Sequence, residues 1–319
     1  MNWWYFLLAL SLHWIVVLIG THRLQILLHA QKVSLGFWLT FKYNCIGYFF
    51  NLFSLGSTGG DVVKSYYVSR ETDTKKTESV TVVFLDRIMG MTAVLIIAAC
   101  AILATMWKDD SFRPLLPAVL LLLFGGAAGV CVIFTKNWWT RFIKFSTLQK
   151  AGVFTMLANK IQAILLRIID ALHNYKEHKW TAVIAMLESI FLQLIMCVIG
   201  WCYGTGLGFN IPFYAYFIVF PIGTLILSLP ISPSGLGTGE LSFIWCFSRF
   251  GIKEDTGLAF AFTLLLRLSM LSLSSVGFIM WMLPGTHITR KELEEKAEEI
   301  ENNIEAEQIN YNKNISNNG

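Results

Sequence analysis

The chain reads as an all-α polytopic membrane protein, with about six full transmembrane helices plus two re-entrant hairpins in an inverted repeat. Three observations predict this. Of its 319 residues 55% are hydrophobic and only 14% charged, and the apolar residues come in blocks of about twenty, the length a helix needs to cross hydrocarbon. Two blocks are broken by Gly-rich stretches, LGSTGGDVVK at Leu55–Lys64 and LPISPSGLGTGELSF at Leu229–Phe243. Each break ends near an acid that is followed by an arginine at almost the same distance: Asp61 precedes Arg87 by 26 positions, and Glu240 precedes Arg267 by 27. Hydrocarbon offers no water to backbone N–H and C=O groups, so spanning segments are helical, and irregular backbone survives only inside protein or beside a wet cavity.

Helix one is expected at Trp3–Gly20, uncleaved, because no basic residue precedes it and its first positive charge, Arg23, follows the apolar run. A mildly basic connector, His22–Ser34, comes next. The segment Gly36–Leu55 contains Lys42, Asn44 and Asn51 and runs into the first Gly break, which is unusual for a lipid-facing span. Helices are expected at Val80–Met106 and Pro114–Thr135. Residues 136–179 carry eight Lys/Arg and read as an amphipathic surface segment, with IQAILLRIIDAL as its apolar face. A helix at Trp180–Tyr203, the segment Pro212–Leu229, the second Gly break, Leu241–Phe250 and a long helix at Gly257–Leu283 follow. The domain expectation is a membrane domain over residues 1–285, with halves at about 1–135 and 180–285 joined by the basic segment, and an acidic tail over 286–319 that opens with the capping box TRKE.

Loop charges orient the chain. If Gly36–Val63 enters and returns on one side and Pro212–Phe250 does so on the other, the connector after helix one, Ser65–Ser79, residues 136–179 and the tail all share one face. The positive-inside rule makes that face cytoplasmic, with the N-terminus outside. The net charge of +4 is thereby explained by topology, and no nucleic-acid partner is expected. The six cysteines lie in or beside apolar segments without a CxxC pair and read as packing residues. No metal, cofactor or catalytic motif is expected: HExxH is absent, and GSTGGD lacks the GK[ST] ending of a P-loop.

Ionisable residues within the apolar segments are Lys42, Asp61, Asp86, Arg87, Glu188, Glu240 and Arg267. Each costs roughly 2.5 to 3.5 kcal/mol at the centre of an isolated helix, so each needs a partner or water. Asp86 and Arg87 are adjacent, about 100° apart on a helix, so Arg87 needs Asp61, Glu240 or a lipid phosphate. Pairing within the protein that merely holds the two repeats together remains an open alternative. Glu188 and Gln193, five apart, read as interhelical hydrogen-bonding groups, and His13 as an interfacial or packed histidine. Paired Gly/Pro-broken segments in two halves point to a midplane binding site, since a helix broken in the membrane presents free backbone groups and Gly permits close approach.

The stretches GSTGGDVVKSYYVSR, VVFLDRIMGM, PISPSGLGTGELSF and FTLLLRLSML resemble the membrane region of the lysylphosphatidylglycerol synthase/flippase family over about Trp3–Leu283. The resemblance implies a multi-pass protein of the bacterial or archaeal inner membrane that binds a lipid head group between two inverted halves and moves it between leaflets. Carried over position by position, it points to Gly59, Gly60, Asp61, Asp86, Arg87, Gly235, Gly237, Glu240 and Arg267, with Lys64 standing where the family often has Arg. The expected roles are phosphate binding by Arg87 and Arg267, gating or clamping by the two Gly turns, and charge pairing by Asp61, Asp86, Glu240 and Lys64. The expected partner is an anionic phospholipid or a polyprenyl-linked glycolipid. Two-domain relatives carry a soluble acyltransferase domain after the membrane region, so no enzyme activity is expected of this chain. The alternative is a non-transporting membrane scaffold for a glycosyltransferase or lipid-modifying enzyme.

Overall fold

The structure is a computed structural model that describes residues 2–53, 59–72, 75–106, 112–134, 179–229, 231–232, 234–252 and 256–283. The expected amphipathic segment at 136–179 except Lys179, residues 54–58 of the first Gly break and the tail from residue 284 lie outside the described residues. Two compact units cover residues 1–278 and 279–319, and the second is described only for the end of its leading helix.

Among the described residues there are nine α-helices: α1 Trp3–Ala30, α2 Phe37–Asn51, α3 Gly59–Arg70, α4 Lys76–Thr105, α5 Leu116–Phe134, α6 Lys179–Leu207, α7 Phe213–Ser228, α8 Thr238–Ser248 and α9 Thr256–Met282. Four of these contain stretches long and apolar enough to cross a membrane: Trp3–Ala30, Glu78–Thr105, Lys179–Leu207 and Gly257–Met282. Large apolar side chains such as Leu121, Phe124 and Leu187 are exposed, as the outer wall of a helical bundle in lipid requires.

α1 is longer than its apolar run. Asn2 caps it, its side-chain oxygen accepting from the Trp4 N–H at 3.2 Å, and it continues past Gly20 to Ala30. The extension is held by packing and charge: Leu24, Leu27 and Leu28 are fully buried, and Arg23 reaches an acid on α4. The expected connector at His22–Ser34 is therefore largely helix. α1 runs antiparallel to α6, with the Asn2 N–H donating to the Gly206 carbonyl at 2.9 Å near one end and Arg23 Nη1 donating to Ser189 Oγ at 2.7 Å near the other.

A pair of antiparallel helices flanks each Gly break. α2 and α3 fold back on each other where Gly60 meets Gly47, and a methyl group on Gly60 would sit 2.0 Å from the Gly47 carbonyl oxygen. Asn51 ties the end of α2 to the start of α3, its side-chain oxygen accepting from the Gly60 N–H at 2.8 Å. Gly60→Ala is accordingly expected to spread this hairpin and cost about 1 to 3 kcal/mol, read as a lower unfolding midpoint in detergent. At the other end of the hairpin, Tyr43 donates to Glu71 and stacks on Tyr67. There Lys75 Nζ, at the start of α4, donates to the carbonyls of Gln31 and Lys32 just past α1.

The α7–α8 hairpin stands on the opposite end of the bundle, beside the start of α1. Phe209 packs on Phe247, and Tyr214 on Phe250. Its core is aromatic: Phe220, Phe243, Phe247 and Phe262 are at most 2% exposed, and the rings of Phe247 and Phe262 are 4.8 Å apart. The hairpin arms hold 15, 12, 16 and 11 residues. At about 1.5 Å per residue none exceeds about 24 Å, short of the roughly 30 Å of hydrocarbon, whereas α1 is about 42 Å long.

The halves are interlocked. α4, the last helix before α5, packs on α3 and also on α7 of the other hairpin. α9 does the reverse, its Ser274 donating to the Tyr48 carbonyl of α2 at 3.1 Å and its Gly277 lying against the Cys45 carbonyl. Each long helix thus touches the hairpin of the other half. Their meeting ground encloses a cavity.

Candidate functional site

The cavity has a volume of about 360 Å³ and is walled by α1, α2, α3, α4, α6, α7 and α9. Five charged side chains line it: Arg23, Asp61, Lys64, Asp86 and Arg87. They form one chain of alternating sign. Arg23 Nε donates to Asp86 Oδ1 at 2.7 Å, Asp86 Oδ2 lies 3.8 Å from Lys64 Nζ, Lys64 Nζ lies 3.2 Å from Asp61 Oδ1, and Asp61 Oδ2 lies 3.7 Å from Arg87 Nη1.

Local structure dictates this order. Asp86 and Arg87, consecutive on α4, point about 100° apart, so one turns toward α1 and the other toward α3. Asp61 and Lys64, three apart on α3, share a face and sit between them. Counted along the helices, Arg23 lies about 10 Å from the end of α1 and Asp86 about 15 Å from the start of α4, which puts the chain deep in the bundle. Three cations face two carboxylates, an excess of one positive charge, and of the two arginines that end the chain Arg87 is the more open, with 30% of its side chain exposed against 11% for Arg23. In so apolar a setting such pairs persist because separating them strands a charge.

The second Gly break is built differently. Ser234, Gly235 and Gly237 have φ of 50°, 68° and 80°, and a side chain on Gly235 would also strike Leu227, so both glycines are demanded by the turn. Glu240, in the first turn of α8, accepts from the Gly237 N–H at 2.7 Å. Arg267 of α9 donates from Nε to Glu240 at 2.6 Å, from Nη1 to the Ser234 carbonyl at 3.3 Å and from Nη2 to the Gly235 carbonyl at 3.0 Å. The guanidinium thus holds the hairpin tip shut. Ser234 and Ser228 touch the cavity, but Arg267 and Glu240 are not among its lining residues.

The structure therefore gathers Asp61, Lys64, Asp86 and Arg87 around the cavity and leaves Glu240 at the α7–α8 tip, bound there by Arg267 of α9. Gly59 opens α3, Gly60 serves helix contact, and Gly235 and Gly237 serve the turn. Sequence reasoning missed Arg23, whose charge follows the apolar run and so looks like a cytoplasmic flank; the signal was the continuing pattern Leu24, Leu27, Leu28, which keeps it in a helix. Glu188 of α6 makes the interhelical contact expected of it, its Oε1 lying 2.7 Å from His22 Nδ1 of α1. Lys42 is not part of the lining. Among the described residues no group of three His, Cys, Asp or Glu side chains could hold a metal ion.

No solved structure matches the chain. A UPF0104 membrane protein of Methanocaldococcus jannaschii is 23% identical over 297 residues, covering 90% of this chain and 87% of that protein. The family described as the lysylphosphatidylglycerol synthase TM region matches residues 1–276. A multi-pass helical bundle with two Gly-broken hairpins and that match over nearly all of its described length belongs to the lysylphosphatidylglycerol synthase TM region family.

Proposed function

We propose that the protein translocates a phosphate-bearing lipid, a phospholipid or a lipid-linked sugar, between the leaflets of a bacterial or archaeal inner membrane. The observation that carries this reading is the alternating charge chain, one positive charge in excess, inside a cavity walled by otherwise apolar helices. A phosphodiester complements that excess, and guanidinium is the side chain best shaped to hold it. Arg87, open to the cavity, receives the phosphate, while Lys64 and Arg23 set the field around it. Arg267 acts one step away, through the hairpin tip.

In this reading both hairpins are re-entrant, from opposite faces, which their short arms and their feet at opposite ends of α1 support. The N-terminus lies outside and the C-terminus in the cytoplasm, as the loop charges favour. Residues 1–285 act as one membrane domain, and the lipid moves without covalent chemistry. Alternating access then needs the two halves to move in turn around a fixed site.

The test is a proteoliposome assay with head-group-labelled phosphatidylglycerol and a membrane-impermeant quencher. Protein-dependent loss of inner-leaflet protection is expected, and Arg87→Gln should slow it by about tenfold or more, the loss of one charge-assisted contact. Protection equal to that of empty vesicles overturns the reading; so does an Arg87→Gln protein that works as well as the parent.

A further inference from the structure

Beside the charge chain stands a hydrogen-bonded pair that it does not include. On α6, next to the Ser189 that Arg23 contacts, Glu188 places Oε1 2.7 Å from His22 Nδ1 of α1, with the imidazole 51% and the carboxyl side chain 19% exposed. The other carboxyl oxygen, Oε2, is buried and has no hydrogen-bond partner among the described residues. A buried carboxyl oxygen so placed needs a donor or a cation. One carboxylate and one imidazole are too few ligands for a metal ion, so the cation that fits is a proton. The other ionisable groups around Glu188 are Arg23 on α1, with His13 and His29 two turns or more from His22, and Asp86 on α4 beyond Arg23. Lys179 stands at the start of α6 itself, and α7 brings only Tyr214 and Tyr216, toward the opposite end of the bundle.

Depth makes the pair reachable from water. Trp3 and Trp4 are 66% and 79% exposed beside the Asn2–Gly206 contact, the place of an interfacial aromatic belt. Counted along α1 and α6 from that contact, His22 and Glu188 lie about 30 and 27 Å away, close to the far edge of roughly 30 Å of hydrocarbon. The imidazole thus faces an aqueous surface, and Glu188 faces the cavity through Arg23. A proton taken from water by His22 Nε2 makes the imidazolium. The Nδ1 proton then passes to Glu188 Oε1 and leaves a neutral imidazole and a carboxylic acid, with no electrons exchanged. Wherever the proton rests, the pair goes from one negative charge to none.

Arg23, Lys64 and Arg87 carry three positive charges, and Asp61, Asp86 and Glu188 carry three negative ones, so with the pair unprotonated the cluster is neutral. A proton on the pair restores one positive charge, the amount that a phosphodiester cancels. We infer that the His22–Glu188 pair is a proton-binding site coupled through Arg23 to the cavity, so that an anion held there brings one proton with it. This rests on the cavity being an anion site, as proposed above, and adds the coupling. The coupling is reciprocal: an anion that raises the affinity for the proton is itself bound more tightly, by the same factor, when the proton is present. A lipid anion that carries a proton crosses without moving net charge, so the membrane potential does not oppose it.

Equilibrium binding to the full chain in nanodiscs of phosphatidylcholine tests this independently of transport. The probe is short-chain phosphatidylglycerol, whose phosphodiester keeps its single charge throughout the range used. From about pH 8 down to about pH 5, where histidine side chains ordinarily exchange protons, wild-type affinity is expected to rise about fivefold or more. Midway in that range, in weakly buffered solution with an indicator dye, binding should take protons up from the medium. Glu188→Gln keeps the shape of the side chain and holds it uncharged. It should bind within about twofold of the parent's acid-end affinity at every pH, and so more tightly than the parent at the alkaline end, without proton uptake. A gain of affinity is not what a damaged fold produces.

Equal wild-type affinity at the two ends of the range overturns the inference, as does binding without proton uptake. So does a pH dependence that persists in Glu188→Gln, since another group such as His13 then carries it, and so does an affinity that follows sodium concentration instead of pH. None of these results touches the transport reading, which the proteoliposome assay decides. A protein that shows the proton linkage yet translocates nothing keeps the proton site and sinks only transport, whereas no binding at any pH sinks both. Should Glu188→Gln not fold, proton uptake by the wild type still decides.

Discussion

Asp86→Leu is expected to be the most destabilising single change in the charge chain, at about 3 to 5 kcal/mol, because it leaves Arg23 buried without a carboxylate. Arg23 is 11% exposed at its side chain and would be left to the neutral Ser189 hydroxyl on α6. Arg23→Met should cost less, about 1 to 3 kcal/mol, since Asp86 still has Lys64 at 3.8 Å. The double variant Arg23→Met/Asp86→Leu should be more stable than Asp86→Leu alone, with a coupling of about 0.5 to 3 kcal/mol. Denaturant unfolding in mixed micelles measures all three. Additive losses would mean that the pair does not interact as its 2.7 Å separation implies, and a wild-type midpoint for Asp86→Leu would mean that water reaches Arg23.

How far the sequence foretold this network depends on which dimension of structure is asked about. Spacing along the chain fixes which turn of which helix meets which, so the acid and arginine of each half do come together, Asp61 with Arg87 at 3.7 Å and Glu240 with Arg267 at 2.6 Å. Rotation about a helix axis is a different matter. Equal spacings of 26 and 27 residues carry no information on whether an arginine turns toward a shared cavity or toward its own hairpin tip, and the two arginines do opposite things. The same limit hides Arg23. A cation just after an apolar run reads as a flank, and only Asp86, 63 residues away in sequence, makes that turn of α1 interior.

The hairpin architecture was more legible, because its causes are local. Gly60 has to be glycine for α3 to lie on Gly47, and Gly235 has to be glycine for its positive φ. The exposed apolar faces and the short arms follow from composition and length alone. What composition does not encode is the reciprocal packing of α4 on α7 and α9 on α2, since both long helices are apolar around most of their circumference and periodicity does not single out one face.

Arg267→Gln is expected to separate the two functions assigned to the arginines. The guanidinium donates to Glu240 and to two backbone carbonyls at 2.6, 3.3 and 3.0 Å, and hydrogen bonds to a charged group are worth about 1.5 to 3 kcal/mol. Its loss should therefore lower the local opening energy of residues 234–241 by about 2 to 4 kcal/mol, seen as amide exchange roughly 30-fold faster or more at the start of α8. Arg267→Lys should restore little, because an ammonium cannot serve the carboxylate and both carbonyls with one planar fork. Glu240→Gln should loosen the tip less, as the amide oxygen can still accept from the Gly237 N–H. Lipid affinity is the deciding measurement. With Arg267 outside the cavity lining, Arg267→Gln should bind phosphatidylglycerol within about threefold of the parent, less than 1 kcal/mol, while Arg87→Gln binds it far more weakly; the transport rate of Arg267→Gln should nevertheless change, since Ser234 of the tip borders the cavity. If Arg267→Gln instead loses binding as completely as Arg87→Gln, the tip must open in the bound state and deliver its arginine to the phosphate. The two halves would then be equivalent at the moment of binding, and the asymmetry described here would belong only to the empty protein.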